Sequence, residues 1–221
     1  MIDLHAHVLP GVDDGAKTLL DSVTMLKELS LLGVTTVYAT PHFVEGTKYT
    51  SSVEVNQARL KELAVALEEA GVPVKVRLGN EVYLSRNTLE LVESGKVMTL
   101  GGSEYLLVEL PMSGWFDGCD EVMLELLQAG YKVVLAHPER YESIQKHFPL
   151  AEEFFRMGVR FQCNMGSFAG EYGAKARKVV KKLASRGMIY GLGSDIHRPA
   201  QSGVVGDGLR EFEKNVSVNI T

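Results

Sequence analysis

The 221-residue chain carries 45% hydrophobic and 23% charged residues, a formal charge of -5 and two cysteines. These proportions are ordinary for a globular chain, and the acidic balance gives no electrostatic reason to expect nucleic acid or an anionic membrane as partner. Cys119 and Cys163 belong to no C-x-x-C pair, which excludes a disulfide framework or a Cys-type zinc site, and each reads as a small buried hydrophobe. No basic and apolar export signal opens the chain and no apolar run approaches the roughly 18 residues of a membrane span, so the expected location is the cytoplasm. The glycosylation-like tripeptides at 215–217 and 219–221 are then chance matches.

In chain order, short β-rich apolar runs alternate with segments of helical period, the βαβα rhythm of a parallel sheet. Strands are predicted over 1–5, 34–40, 74–78, 105–109, 132–136, 159–163 and 189–192, each followed by a helix. Leu19, Val23, Leu26 and Leu29 form one apolar helical stripe, and Leu60, Leu63, Ala64 and Leu67 form another. Gly33, Gly71, Gly130, Gly158 and Gly187 stand between a helix and the next strand, where a left-handed cap is expected. With no linker or change of rhythm, residues 1–221 read as a single domain, and seven βα units suggest an irregular (βα)7 barrel of TIM-like type. No dinucleotide fingerprint or P-loop follows any strand, and Gly11, Gly15 and the Gly101-Gly102 pair read as turn residues.

Polar residues concentrate at the predicted strand ends. The first strand opens MIDLHAH, in which alternation puts Asp3, His5 and His7 on one face, an arrangement costly in a core unless it binds something. His42 follows strand two in ATPH, His137 follows strand five in LAHPER, and His197 follows strand seven in GSDIH. Five of the six histidines thus fall on the face where βα loops build active sites, and Asp14, Glu81, Glu109 and Asp195 join them. Nine such ligands without thiolates suit manganese, iron or zinc, with enough donors for two or three ions. His147, in QKHFP, reads as solvated, and Arg177, Lys178, Lys181 and Lys182 as a solvated helix face. Arg140 is placed to hold an anion, with a salt bridge to Glu139 or another loop carboxylate as the alternative; Trp115 and Phe116 either wall a substrate pocket or cover the rim.

Through DLHAHVLPGVDDGA, ATPH, GNEV, LLVELP, LAHPER and GSDIH, in that order, nearly the whole chain resembles the PHP (polymerase and histidinol phosphatase) superfamily. Within it, the chain is most similar to the bacterial manganese-dependent protein tyrosine phosphatases of capsule and exopolysaccharide operons. The resemblance implies a PHP-type barrel with three metals: one on His5, His7, Glu81 and Asp195, a second on Glu81, Glu109 and His137, and a third on Asp14, His42 and His197. It implies hydrolysis of phosphotyrosine through a metal-bridged hydroxide, on a protein such as the tail of a cognate tyrosine kinase, with Arg140, Asp195 and His7 as catalytic residues. Asp3 would orient a histidine from behind. Where relatives carry a further phosphate-binding arginine after the GSDIH element, this chain reads RPAQSGVVG, and Arg198 is the substitute. The competing readings are a phosphoesterase for a small metabolite such as histidinol phosphate, whose relatives usually carry histidine at the Glu109 position, and a non-catalytic metal-stabilised scaffold.

Overall fold

The computed structural model describes residues 1–217, with side chains to residue 214, so the side chains of both glycosylation-like tripeptides lie outside the described residues. In chain order the strands are β1 (Ile2–Ala6), β2 (Thr36–Ala39), β3 (His42–Phe43), β4 (Lys75–Leu78), β5 (Glu81–Tyr83), β6 (Tyr105–Glu109), β7 (Lys132–Ala136), β8 (Arg160–Asn164) and β9 (Ile189–Gly193). The helices are α1 (Leu19–Leu31), α2 (Val53–Glu69), α3 (Thr88–Glu93), α4 (Cys119–Gln128), α5 (Glu142–Lys146), α6 (Pro149–Met157), α7 (Met165–Ala169), α8 (Gly173–Ser185) and α9 (Ser202–Ser217). The alternating order is the predicted one, and every strand pairing is parallel.

Where the sequence predicts seven strands, nine form, because two short strands, β3 and β5, follow just beyond the ends of the predicted runs 34–40 and 74–78. β2 gives way to β3 at Thr40-Pro41, where proline has no N–H to donate to a ladder. β4 gives way to β5 at Gly79-Asn80, where Asn80 Nδ2 donates to the Pro41 carbonyl at 3.1 Å and Asn80 Oδ1 accepts from Met98 N at 2.9 Å. The breaks divide the strands into a three-stranded sheet, β1-β2-β4, and a six-stranded sheet, β3-β5-β6-β7-β8-β9. Among the described residues no single closed sheet forms. β1 meets the segment after β9 through two backbone bonds, Asp195 N to His5 O at 2.8 Å and His7 N to Ile196 O at 3.0 Å.

Helices cover the outer faces of both sheets. Met25, Leu26 and Leu29 of α1 are buried, but Leu19 is 37% exposed and Ser22 takes its predicted place in the stripe. A capping box of Thr18 with Asp21 starts that helix. The five glycines predicted as caps all have positive φ, Gly158 reaching 109° where α6 ends. Inside, Leu100, Leu107, Val134 and Ala136 pack as a floor, and burying each leucine or valine contributes roughly 1.5–3 kcal/mol. Alternation along β6 then sets Glu109 two residues above Leu107, so the polar residues sit over an apolar plug.

Candidate metal centre

Asp3 and His5 of β1, and His7 just past its end, are all fully buried. His5 Nε2 and His7 Nε2 approach to 3.0 Å, Glu81 Oε2 lies 3.2 and 3.3 Å from them, and Asp195 Oδ1 lies 3.6 and 3.5 Å away. Ligands about 2.0–2.2 Å from one cation stand about 3.0–3.5 Å from each other, which is the spacing of this quartet. Beside it, His137 Nε2 lies 2.9 Å from Glu81 Oε1 and 3.6 Å from Glu109 Oε1. His42 Nδ1 lies 2.9 Å from Glu81 Oε2, while its Nε2 is 3.5 Å from Asp14 Oδ1. Asp14 Oδ1 is also 3.6 Å from His197 Nε2, and His7 completes a group with Asp14, His42 and His197. All nine predicted ligands therefore converge, and Glu81 stands at the centre, within 3.3 Å of His5, His7, His42 and His137.

The fit to cations rests on the donor atoms. Glu81 Oε2 and His42 Nδ1 lie 2.9 Å apart, buried and without a well-formed hydrogen bond, which leaves both atoms as donors for a cation. The outer ring nitrogens are held: His5 Nδ1 by Gln162 Oε1 at 2.8 Å, His7 Nδ1 by Asp13 Oδ2 at 2.7 Å and His197 Nδ1 by the Asp195 carbonyl at 2.8 Å. Those bonds select the tautomer that leaves Nε2 free to ligate.

Charge is balanced unevenly. Burial opposes ionisation of Glu81 and Asp195, but the imidazolium of His5 and its neighbours outweigh it and hold both well below the usual carboxylate range. Burial and the Glu81 charge push Glu109 up to about 8, while burial and Arg140 push His137 down to about 4. A set of groups sharing protons in this way is what bound cations replace. His137 and Asp195 also adopt left-handed backbone, φ 33° and 53°, a strain of order 1–3 kcal/mol each.

Arg140 ends a one-turn 3₁₀ helix, Pro138–Arg140, whose proline sits at the first helical position. Its Nη1 donates to Asp195 Oδ2 at 2.6 Å and its guanidinium lies 4.4 Å from the Tyr172 ring centroid. Glu139 is not its partner: that carboxylate is buried and accepts from Ser167 Oγ at 2.6 Å and Asn164 N at 2.8 Å. Arg198 is exposed, with its backbone N–H on Gln201 Oε1 at 3.0 Å. His147 is exposed, as expected.

Other readings are corrected. Asp3 orients no imidazole; its Oδ1 accepts from the amides of His5 at 3.1 Å and Ser194 at 2.9 Å, tying β1 to the end of β9. Gly15 is no plain turn residue, since a Cβ there would overlap the carbonyl oxygen and Cβ of His7. Trp115 packs 6.0 Å from Tyr141 and 5.3 Å from Phe154, and it lines one surface cleft together with Phe116, which also lines a second. Arg177 and Lys181 are not simply solvated, because both reach Glu211 of α9, at 3.2 and 3.7 Å. Sequence reasoning missed Asp13, Gln162, Asn164 and Tyr172. A polar residue amid a fully buried strand, as in FQCN, is a signal that marks Gln162.

The model of the family "Capsular polysaccharide synthesis, CpsB/CapC" matches residues 1–213. Among curated proteins, the tyrosine-protein phosphatase YwqE of Bacillus subtilis is 29% identical over 197 residues, covering 89% of this chain and 77% of YwqE. A crystal structure from work on YwqE of Bacillus subtilis and CpsB of Streptococcus pneumoniae, described as unique metal-dependent tyrosine phosphatases, superposes with TM-score 0.91 at 27% identity, over 97% of this chain and 87% of that one. The histidinol phosphate phosphatase of Lactococcus lactis, solved with zinc, histidinol and phosphate, shares the fold at TM-score 0.59 and 11% identity, over 97% of this chain and 93% of that one.

Proposed function

The chain belongs to the capsular polysaccharide synthesis CpsB/CapC family, and on that premise we propose that it is a metal-dependent phosphatase that hydrolyses phosphotyrosine on a protein. The observation that carries the reading is the convergence of His5, His7, Asp14, His42, Glu81, Glu109, His137, Asp195 and His197 beside Arg140. The site holds two or three divalent ions, with manganese as the native metal, though iron, zinc and cobalt suit the same donors. Bound there, such ions neutralise phosphoryl charge and lower the pKa of a coordinated water.

Residues of the chain supply the rest. Arg140, positioned by Asp195 and flanked by Tyr172, binds the phosphoryl oxygens, and Arg198 adds positive charge at the rim. His7, held by Asp13, and Asp195 would help hold the ions. Both cysteines are buried and free, and neither takes part. We read the two sheets as one irregular PHP-type (βα)7 barrel, a reading supported by the backbone bonds between β1 and the segment after β9, and residues 1–221 as one phosphoesterase domain. The substrate we assign is the tail of a cognate bacterial tyrosine kinase. No described helix is long and apolar enough to cross a membrane, which accords with a cytoplasmic site of action.

The test is elemental analysis paired with phosphate release from a phosphotyrosyl peptide and from histidinol phosphate, before and after chelation and manganese restoration. Two or three ions per chain, with peptide turnover lost and regained, is the expected result. Turnover of histidinol phosphate alone would move the reading to a metabolite phosphatase, and full turnover without metal would refute it.

A further inference from the structure

An open cleft of about 410 Å³ adjoins the outer end of the β5–β6 pair, where Tyr83 stands beside Glu109. Its walls are Val44, Tyr83, Leu84 and Phe116, with Glu45 and Arg86 at the edge. Three observations join it to the candidate metal centre. Tyr83 is the register partner of Glu109 in the β5–β6 pair, so the two residues stand side by side. Leu84 N donates to the Glu109 carbonyl at 2.9 Å. Strand alternation puts Tyr83 on the same face as Glu81, two residues or about 6.6 Å further toward the mouth; Val44 likewise lies two residues beyond His42.

The cleft is also stiffened. Arg86 lies 6.0 Å over the Phe116 ring, and its Nη2 donates to the carbonyl of the next residue, Asp117, at 2.7 Å. Asn87 Nδ2 bridges to Glu45 Oε2 at 2.9 Å, tying the loop after β3 to the loop after β5. Arg86 is therefore engaged with the wall itself, and what the walls offer an incoming group is apolar and aromatic surface.

We propose that this cleft seats the aryl ring of the phosphotyrosine, making Val44, Tyr83 and Phe116 the residues that select aryl over alkyl phosphates. The proposal rests on the phosphatase reading above. A phosphoryl group held at the Glu81 and Glu109 level projects its ester substituent one layer outward, where these side chains stand. A flat ring gains contact with Phe116 and Tyr83 there, whereas a seryl or threonyl methylene is too short to reach them.

The test uses binding, which does not depend on turnover. Dissociation constants of phenylphosphonate and methylphosphonate, two anions with the same headgroup, are measured by calorimetry on the manganese-loaded protein. The expected wild-type preference for phenylphosphonate is about tenfold, falling toward one in Phe116→Ala and in Val44→Asp and persisting in Phe116→Tyr. Val44→Asp guards against a loosened loop in Phe116→Ala, because it changes a half-exposed residue on the opposite wall. A wild-type preference near one, or a preference unchanged in both cleft variants, would overturn the proposal. Failure of the wild type to release phosphate from a phosphotyrosyl peptide, with the phenyl preference intact, would instead overturn the phosphatase reading and leave the ring seat standing.

Discussion

Asp195 divides its carboxylate: Oδ2 accepts from Arg140 Nη1 at 2.6 Å and from Asn164 Nδ2 at 2.7 Å, while Oδ1 faces the Nε2 atoms of His5 and His7 at 3.6 and 3.5 Å. One side chain thereby couples Arg140, which we assign to the anion, to His5 and His7, which we assign to the metals. The guanidinium fork can hold Asp195 with one nitrogen and offer the others outward, which an ammonium does not reproduce. Arg140→Ala is expected to lower kcat/KM for a phosphotyrosyl peptide by about 100-fold, and Arg140→Lys to recover only part of that. Steady-state kinetics at saturating manganese decide it. Equal activity of the lysine variant and wild type would contradict the fork argument.

Asp13 is the second handle on the cluster. Its Oδ2 accepts from His7 Nδ1 at 2.7 Å and from His42 N at 3.1 Å, and its Oδ1 accepts from Gly15 N at 2.9 Å. Burial would raise its pKa, but His7 and the two amides outweigh this and bring it to about 2, so it is a permanent anion behind a ligand. Asp13→Ala is expected to weaken manganese binding 10- to 100-fold, and Asp13→Asn, which keeps an acceptor, by less. Competition with a fluorescent chelator measures this directly; an unchanged affinity in Asp13→Ala would remove its assigned role.

The contrast between Asp13 and Asp14 shows what the sequence makes legible. Ligands on strand ends, such as His5, His7 and Glu109, follow from alternation and from the polar end of each βα unit. In the loop VDDGA no periodicity distinguishes the two acids, and only the fold shows that Asp14 faces His42 and His197 while Asp13 lies behind His7. Tyr172 escaped for a related reason: it precedes α8, far in sequence from Arg140, and only tertiary packing brings the two together. The nine-strand count was hidden because Pro41 and the Gly79-Asn80 pair sit at the ends of apolar runs, where a turn and a strand break look alike.

Protonation of the cluster makes metal binding depend on pH. Burial disfavours the His5 imidazolium, yet Glu81 and Asp195 outweigh it and push His5 from 6.5 to about 9; burial and Glu81 push Glu109 from 4.5 to about 8. Both groups hold protons more tightly folded than unfolded. Each therefore contributes stability that is complete below its unfolded value and is lost as pH rises through its folded value. The metal-free protein is expected to melt at progressively lower temperature from about pH 7 to about pH 9. Manganese needs the deprotonated donors, so its affinity and its stabilising effect should grow over the same window. Calorimetric melting with and without manganese at both ends checks the sign, and a metal-free melting temperature that rises with pH would refute it.

The cysteines test the reaction class from the opposite side. Cys163 is fully buried on β8, and burial together with the nearby Glu139 charge pushes its thiol well above the usual range. Cys119 begins α4, a place where a helix dipole favours a thiolate, yet burial and Asp120 raise its pKa as well. Neither sulfur is poised as a nucleophile, and the proposed reaction runs through the ions and Arg140 without a cysteinyl-phosphate. Cys119→Ser and treatment of the native protein with iodoacetamide are each expected to leave kcat/KM within about twofold of the untreated wild type, whereas chelation abolishes it. Iodoacetamide inactivation that phosphate protects against would place a thiolate in the site and overturn the metal-dependent assignment.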